Sequence, residues 1–273
     1  MEEKLDFLIK YLLEDIEEKV IEIPITLEEK EKVWRALCNI RKPKPISDEY
    51  LKVQDEFLNE RLKEIKITDA KDIKTISELY SDKQINNGNR MALWQGDITH
   101  INCDCIVNAA NSKGLGCFQP MHNCIDNQIQ TYSGVQMRLE CNEYMKSANF
   151  DFGLPTGEVF ITKGYNLPAK YVIHTVGPVI SFNVSDEEKK LLKDCYINAL
   201  KLAAQKDLKI ITFPCISTGI FRFPRRLAVE CAVTAVQKFL EENNTIEKVI
   251  FNVFGDENLE IYENYFEKFE TKK

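Results

Sequence analysis

From Met91 onward, short β-rich runs alternate with longer stretches of helical periodicity, and this alternation limits the possible folds more than any other feature. The runs ALWQGD, CIVNAA, EVFITKGY, YVIHTV, KIITFPCI and KVIFNVFG are the expected strands. Residues 123–149, 186–205, 224–241 and 258–269 carry the helical pattern between and after them. Ser185 followed three residues later by Glu188 is a helix start signal, with an acceptor side chain ahead of a reciprocal carboxylate. Strands that alternate with helices pair into a mostly parallel sheet covered on both faces, a three-layer α/β arrangement. Ligands of such sheets gather at the carboxyl ends of the strands.

The first eighty residues have a different texture. Leu5, Leu8, Ile9, Leu12, Leu13 and Ile16 form one apolar stripe at helical spacing. Pro24 breaks residues 21–25, a second helix is expected over 26–38, and residues 41–47, with two prolines, read as a linker. A third helix is expected over 47–65; Ser47 can cap it, but the reciprocal Glu falls one place early. One more short helix is expected within 69–80. Residues 1–80 are therefore expected to be a helical extension and 81–273 a single α/β domain. A chain of 273 residues with 44% hydrophobic content is large enough for that core.

Several function classes are disfavoured. No run of eighteen apolar residues exists, so no membrane span is expected. The acidic, amphipathic N-terminus lacks the basic start and apolar middle of a secretory signal, which gives a cytoplasmic expectation. Nine cysteines, an odd number scattered through a chain of this size, suggest free thiols or metal ligands rather than a disulfide framework. A net charge of −7 argues against nucleic acid as a partner.

Four strand ends carry unusual residues. Gln95-Gly96-Asp97-Ile98-Thr99 sets an acceptor carboxylate beside a glycine that lets backbone approach a ligand. Asn108-Ala109-Ala110-Asn111 places two amides around small residues. The stretch Cys215, Ile216, Ser217, Thr218, Gly219, Ile220, Phe221 is a small-residue loop feeding a helix, a geometry whose backbone N–H groups favour phosphate. Phe254, after the last strand, is an aromatic able to lie against a base. A capped turn explains any one of these; together they describe a pocket for adenine, pyrophosphate and sugars.

The segment 114–127 puts Cys117, His122 and Cys124 at spacing Cys-x4-His-x-Cys. Two thiolates and an imidazole with an open fourth position form a catalytic zinc arrangement. Asp126, two residues on, can serve as a base or can orient a water. The competing reading is two buried thiols and an incidental histidine. With three histidines in the whole chain, one lying between two cysteines favours the metal. Cys103, Cys105, Cys141, Cys195, Cys231 and His174 fall among apolar neighbours and are expected to pack in the core, with His174 hydrogen-bonded. His100 is expected at a surface turn.

The ordered strings QGDIT, CIVNAAN, PTGEVFITKGY, YVIHTVGP, FPCISTGIFRFP and VIFNVFGDENLEIY resemble the macrodomain family across residues 91 to about 270. The glycine run that usually precedes the family's catalytic aspartate is replaced by GCFQPMHNCIDN, which resembles the zinc-dependent branch, as does the preceding helical segment. The resemblance implies that Asp97 accepts the adenine amino group and the Ile98 N–H reaches a ring nitrogen. It implies that Asn111 holds the ribose nearest the scissile bond and that Asp126 occupies the catalytic aspartate position. Cys117, His122 and Cys124 would ligate Zn2+, and Ser217, Thr218, Gly219, Ile220 and Phe221 would form a phosphate loop. One departure is Gln130, where the branch often has histidine; an amide is neither acid nor base.

The function these features imply is zinc-dependent hydrolysis of mono-ADP-ribose from modified proteins. By resemblance, the target would be a lipoyl-carrier protein modified by a sirtuin-type transferase, and a monomer is expected. A reader module that only binds ADP-ribose would have no need of an open metal site. Deacylation of O-acyl-ADP-ribose uses the same pocket and is not separable on sequence. A dinucleotide oxidoreductase lacks any Gly-x-Gly-x-x-Gly after a strand.

Overall fold

The computed structural model describes residues 1–16, 23–150 and 152–271. Ile21 and Glu22, part of the segment expected to break at Pro24, lie outside the described residues.

Six strands form the main sheet: β2 (Met91–Gln95), β4 (Cys105–Ala109), β5 (Val159–Lys163), β6 (Tyr171–Thr175), β7 (Ile210–Phe213) and β8 (Lys248–Val253), in the order β2-β8-β7-β4-β6-β5. All neighbours are parallel except β5, which runs antiparallel to β6 at the edge. Alternation along each strand sends side chains to opposite faces. Met91, Leu93, Cys105, Val107, Ile211, Phe213, Val249 and Phe251 enter one core with α7 (Asp186–Gln205), α8 (Arg225–Glu242) and α9 (Asp256–Glu267). Ala92, Ile106, Val172, Ile210 and Ile250 enter the other, with α5 (Ile125–Ser133) and α6 (Val135–Ser147). The result is the expected three-layer architecture. Ser185 caps α7 with the full reciprocal box to Glu188. Among the described residues, no helix is long and apolar enough to cross a membrane.

The single helix expected over 123–149 is instead two helices, broken at Gly134. Gly134 has φ +97°, and a Cβ there would lie 2.5 Å from Gln54 Nε2. Gln54 belongs to α3 (Asp48–Lys63), and its Oε1 accepts from the Val135 N–H at 3.0 Å. Tertiary docking of the N-terminal helices therefore sets the break, which a local periodicity does not reveal. The helix expected within 69–80 likewise divides, into a 3-10 turn at Ala70–Asp72 and the four-residue α4 (Ile76–Leu79). A two-residue parallel ladder, β1 (Thr68–Asp69) with β3 (Ile101–Asn102), was not anticipated; it is too short for a periodic signal.

The N-terminal helices α1 (Glu2–Asp15), α2 (Leu27–Ile40) and α3 enclose a third core, with Leu5, Leu8, Ile9, Leu12, Trp34, Tyr50 and Phe57 buried and Val135 of α6 included. The proline-bearing segment 41–47 is fixed. Arg41 is buried, pairs with Asp15 at 2.9 Å and donates to the carbonyls of Lys42, Lys44 and Pro45. Arg138 of α6 supplies the other side, with Nη1 donating to the Cys38, Asn39 and Arg41 carbonyls. These groups at the end of α2 would otherwise lack partners in a buried place.

Candidate active site

Strands β8, β7 and β4 are consecutive in the sheet, so their carboxyl ends share one edge. A cavity of about 410 Å³ opens there, within the range of small-ligand sites. Its walls include Asn111 after β4, the loop Ser217–Phe221 after β7 and Phe254 after β8, together with Cys117, His122, Cys124 and Asp126. Asp97 and Ile98 do not line it. The segment that carries them is tied to the cavity wall: Asn252 lines the cavity and donates from Nδ2 to the Gly96 carbonyl at 2.8 Å. Asp97 Oδ1 accepts from Thr99 N and Oγ1 at 2.8 and 2.7 Å, which caps the following turn. His100 sits in that turn, as expected.

Asp126 is 4% exposed. Its Oδ1 accepts from Asn108 Nδ2 at 2.8 Å and its Oδ2 from Asn111 Nδ2 at 3.0 Å. Burial raises its pKa above the ordinary carboxylate value, against the lowering effect of the two amides and of Arg138. Asn108 lies directly across the ladder from His174, and its Nδ2 also reaches His174 Nδ1 at 3.1 Å. That bond makes Nδ1 the acceptor and leaves the proton on Nε2, which faces Thr162 Oγ1 at 2.9 Å. Burial pushes the His174 pKa down to about 3, so the imidazole is neutral. His174 is therefore the hydrogen-bonded core residue the sequence suggested, and it indirectly orients Asp126.

Asn111 is held by donation to the Gly116 carbonyl at 3.0 Å as well as to Asp126, while its Oδ1 accepts from Lys113 N. Gly116 has φ +84°, and a Cβ there would come 2.6 Å from Gln130 Cγ. Glycine is required where the chain turns from Asn111 into the cysteine loop.

In that loop, the ligand atoms of Cys117, His122 and Cys124 all lie within 4.8 Å of one another. Cys117 Sγ stands 3.5 Å from His122 Nδ1. Sulfur and nitrogen ligands of a tetrahedral zinc are about 3.6 Å apart, so the residues present fit such an ion. In the metal-free protein, burial holds the Cys124 thiol up at about 12, with Cys117 and Asp126 adding to it; a cation between the thiols reverses that balance. Cys103, Cys105, Cys141, Cys195 and Cys231 are buried and belong to the cores.

The loop after β7 presents Ser217 with φ +65° and Oγ buried without a protein partner among the described residues. Facing it is Gly177, where a Cβ would stand 2.0 Å from Ser217 Oγ. Gly219 meets open space, and Ile220 and Phe254 are exposed at the rim. The loop leads into α8, whose N-terminal end favours an anion.

A macro domain family model matches residues 107–232. The chain is 45% identical to a protein-ADP-ribose hydrolase of Staphylococcus aureus, over 95% of each chain. The chain belongs to the macrodomain family. Another relative, a protein-ADP-ribose hydrolase of Treponema medium, is 42% identical over 94% of this chain and 95% of its own. A Trypanosoma brucei macrodomain solved in complex with ADP-ribose superimposes with a TM-score of 0.64 at 27% identity, covering 84% of this chain and 94% of its own.

The macrodomain has further site residues that sequence reasoning passed over. Asn252 and Asn258 line the cavity, as does Cys215 at the start of the loop already singled out. Arg35 and Asn39 of α2 hydrogen-bond to the cysteine loop from outside it. Arg138 stacks its guanidinium 4.3 Å from the centre of the Phe118 ring in that loop. The periodicity of α2 marks it as a packing element and leaves open whether it also edges the site. Its polar face, with Arg35 and Asn39 one turn apart, was the available signal.

Proposed function

We propose that this macrodomain is a zinc-dependent protein-ADP-ribose hydrolase, binding ADP-ribose and removing mono-ADP-ribose from modified proteins. The observation that carries the reading is the meeting, on one cavity, of a buried carboxylate, a soft-metal donor set and a small-residue loop suited to a diphosphate. The names of the relatives, protein-ADP-ribose hydrolases, support the hydrolase part of this reading. Bound zinc, held by Cys117, His122 and Cys124, would supply Lewis acidity beside the reacting ribose.

The remaining roles belong to the chain. Ser217 to Phe221 and the start of α8 hold the diphosphate, with Ser217 Oγ free to donate to a phosphate oxygen. Phe254 lies against the base, and Asp97 and Ile98, next to the Gly96 that Asn252 holds, recognise its edge. Asn111 has both amide hydrogens committed, so the second lone pair of Oδ1 accepts from a ribose hydroxyl. Asp126 takes the proton of the attacking water; its burial makes it a stronger base than an exposed carboxylate. The finer partner reading, a lipoyl-carrier protein modified by a sirtuin-type transferase, rests on the sequence resemblance.

The deciding experiment is metal analysis coupled to ADP-ribose release from a mono-ADP-ribosylated protein, with a modified lipoyl carrier as one substrate. The expected result is one zinc per chain and release that stops on chelation and returns with zinc. Binding of ADP-ribose without release would make the protein a reader. Release unchanged after Cys117, His122 and Cys124 are all replaced by Ala would remove the metal from the reaction.

A further inference from the structure

The helices that precede the sheet reach the cysteine loop at a few defined atoms. Arg35, on α2, donates from Nη2 to the carbonyl of His122 at 2.9 Å and from Nη2 and Nε to Asn127 Oδ1 at 2.9 and 3.2 Å. Asn127 is buried at the start of α5. It passes the constraint on: its Nδ2 donates to the Gln119 carbonyl at 2.9 Å and its backbone N–H to Cys124 Sγ at 3.4 Å. Four residues along α2, buried Asn39 accepts from the Met121 N–H at 3.0 Å and donates to Thr131 Oγ1 at 2.9 Å. Thr131 in turn donates to the Asn127 carbonyl at 2.8 Å. Met121 has φ +55°, a backbone conformation that a non-glycine residue adopts at a cost unless its surroundings hold it. Asn39 does so from one side and Arg35 grips the next residue from the other.

We propose that Arg35 and Asn39 are positioning residues of the active site, which preset the backbone of residues 119–124 so that His122 and Cys124 meet Cys117. In this proposal, which rests on the metal reading above, the N-terminal helices complete the site rather than decorate the domain. Arg35 suits the task because a planar fork bridges two acceptors, the His122 carbonyl and the Asn127 amide oxygen, which a single ammonium does not span in the same way. Groups that orient metal ligands contribute about 10–100-fold to affinity, and Arg35 bonds to the backbone of a ligand itself.

The test uses the full-length protein and four variants. Arg35→Ala and Arg35→Lys both remove the fork, and Asn39→Ala removes the grip on Met121. Ile9→Val trims the same helical core away from the loop and reports on stability alone. Zinc affinity is measured by competition with a chromophoric chelator, and the cobalt-substituted proteins are compared by their thiolate charge-transfer and ligand-field bands. Amide hydrogen exchange across 117–124 is measured on the metal-free forms. Arg35→Ala and Arg35→Lys are expected to bind zinc about 10–100-fold more weakly, to alter the cobalt bands and to exchange faster in the loop. Ile9→Val should match wild type in all three. Zinc affinity and loop exchange at wild-type levels in Arg35→Ala, or equal losses in Ile9→Val, overturn the proposal. If the wild-type protein takes up neither zinc nor cobalt, the metal reading fails. The exchange data then still decide: faster loop exchange in the Arg35 and Asn39 variants alone supports the presetting role, and unchanged exchange rejects it.

Discussion

Replacing Asp126 separates two roles that its position allows, proton acceptor and organiser of the wall behind the proposed ligand trio Cys117, His122 and Cys124. Its two oxygens each accept one amide hydrogen, from Asn108 and from Asn111. Asp126→Ala strands the first inside the protein, because Asn108 is fully buried, while Asn111 is partly open to water. An unpartnered buried donor costs about 1–3 kcal/mol. Part of that is offset, since the variant no longer buries a carboxyl whose raised pKa records its desolvation. The net loss of stability should therefore fall below that, at about 1–2 kcal/mol, small enough to leave a folded protein. Asp126→Asn keeps the shape and one acceptor, but turns an amide N–H toward one of the two amide donors. It retains no base.

General-base removal costs about 10²–10⁴-fold in rate, or roughly 3–5 kcal/mol of transition-state stabilisation at 1.36 kcal/mol per decade. Single-turnover release from a modified protein, zinc content and ADP-ribose affinity are measured on the same preparations of both variants. Full zinc, unchanged affinity for free ADP-ribose and release slowed by at least about 10²-fold support the base. The wild-type rate should also fall as pH drops through the Asp126 pKa, which lies above the ordinary carboxylate value, because the ionised form is the acceptor. Loss of zinc together with activity would instead mean that Asp126 acts by holding the ligand loop. Full zinc with wild-type release in Asp126→Asn would refute both roles.

Three further outcomes are expected. Asp97→Ala should weaken ADP-ribose binding by about 1.5–3 kcal/mol if the carboxylate accepts the adenine amino group, and calorimetry showing unchanged affinity removes that role; the lost cap on Thr99 should cost about 1 kcal/mol of stability. Gly177→Ala drives a methyl against Ser217 Oγ and Ile216, so ADP-ribose affinity should drop at least about tenfold because the phosphate loop must shift by more than a packed site tolerates; tight binding in a folded variant would show that the loop moves freely. His174 binds its proton in the unfolded chain near pH 6.5 but in the folded protein only near 3, so stability falls as pH drops through that window, by on the order of 5 kcal/mol at its acid end. Denaturant unfolding of His174→Gln from pH 7 to 4 should show a shallower loss than wild type, and parallel profiles would refute the linkage.

Much of the site was legible because its parts follow strands in sequence. Asn111, Ser217 to Phe221 and Phe254 lie just after β4, β7 and β8, and the sheet order makes those three ends neighbours. Cys117, His122 and Cys124 were legible for a different reason: eight residues of loop cannot separate them far. What sequence reading missed depends on contacts between distant segments. Arg138 is 97 to 100 residues from the carbonyls it caps, and nothing in the periodicity of α6 marks it as more than a charged position. Gly134 was readable as an interruption, yet whether a glycine ends a helix or is absorbed by it depends on what packs there. Here it is Gln54, eighty residues earlier.

The same distinction explains why the N-terminal helices looked like an appendage. Their apolar stripe has a core of its own, with Trp34, Tyr50 and Phe57 at its centre, and self-contained packing reads from sequence as independence. Apart from Val135, which enters that core, their dependence on the rest of the protein is polar, carried by Arg35, Asn39, Gln54 and the carbonyls at the end of α2. Single polar contacts leave no periodic trace, because each is a specific pairing rather than a repeating pattern. They are also the contacts that constrain atoms most closely, since a hydrogen bond fixes distance and direction where an apolar contact fixes little more than proximity. The part of the structure that places the site most tightly is therefore the part a linear reading is least able to see, and in this macrodomain it lies where the two sets of helices meet, around residues 119–139.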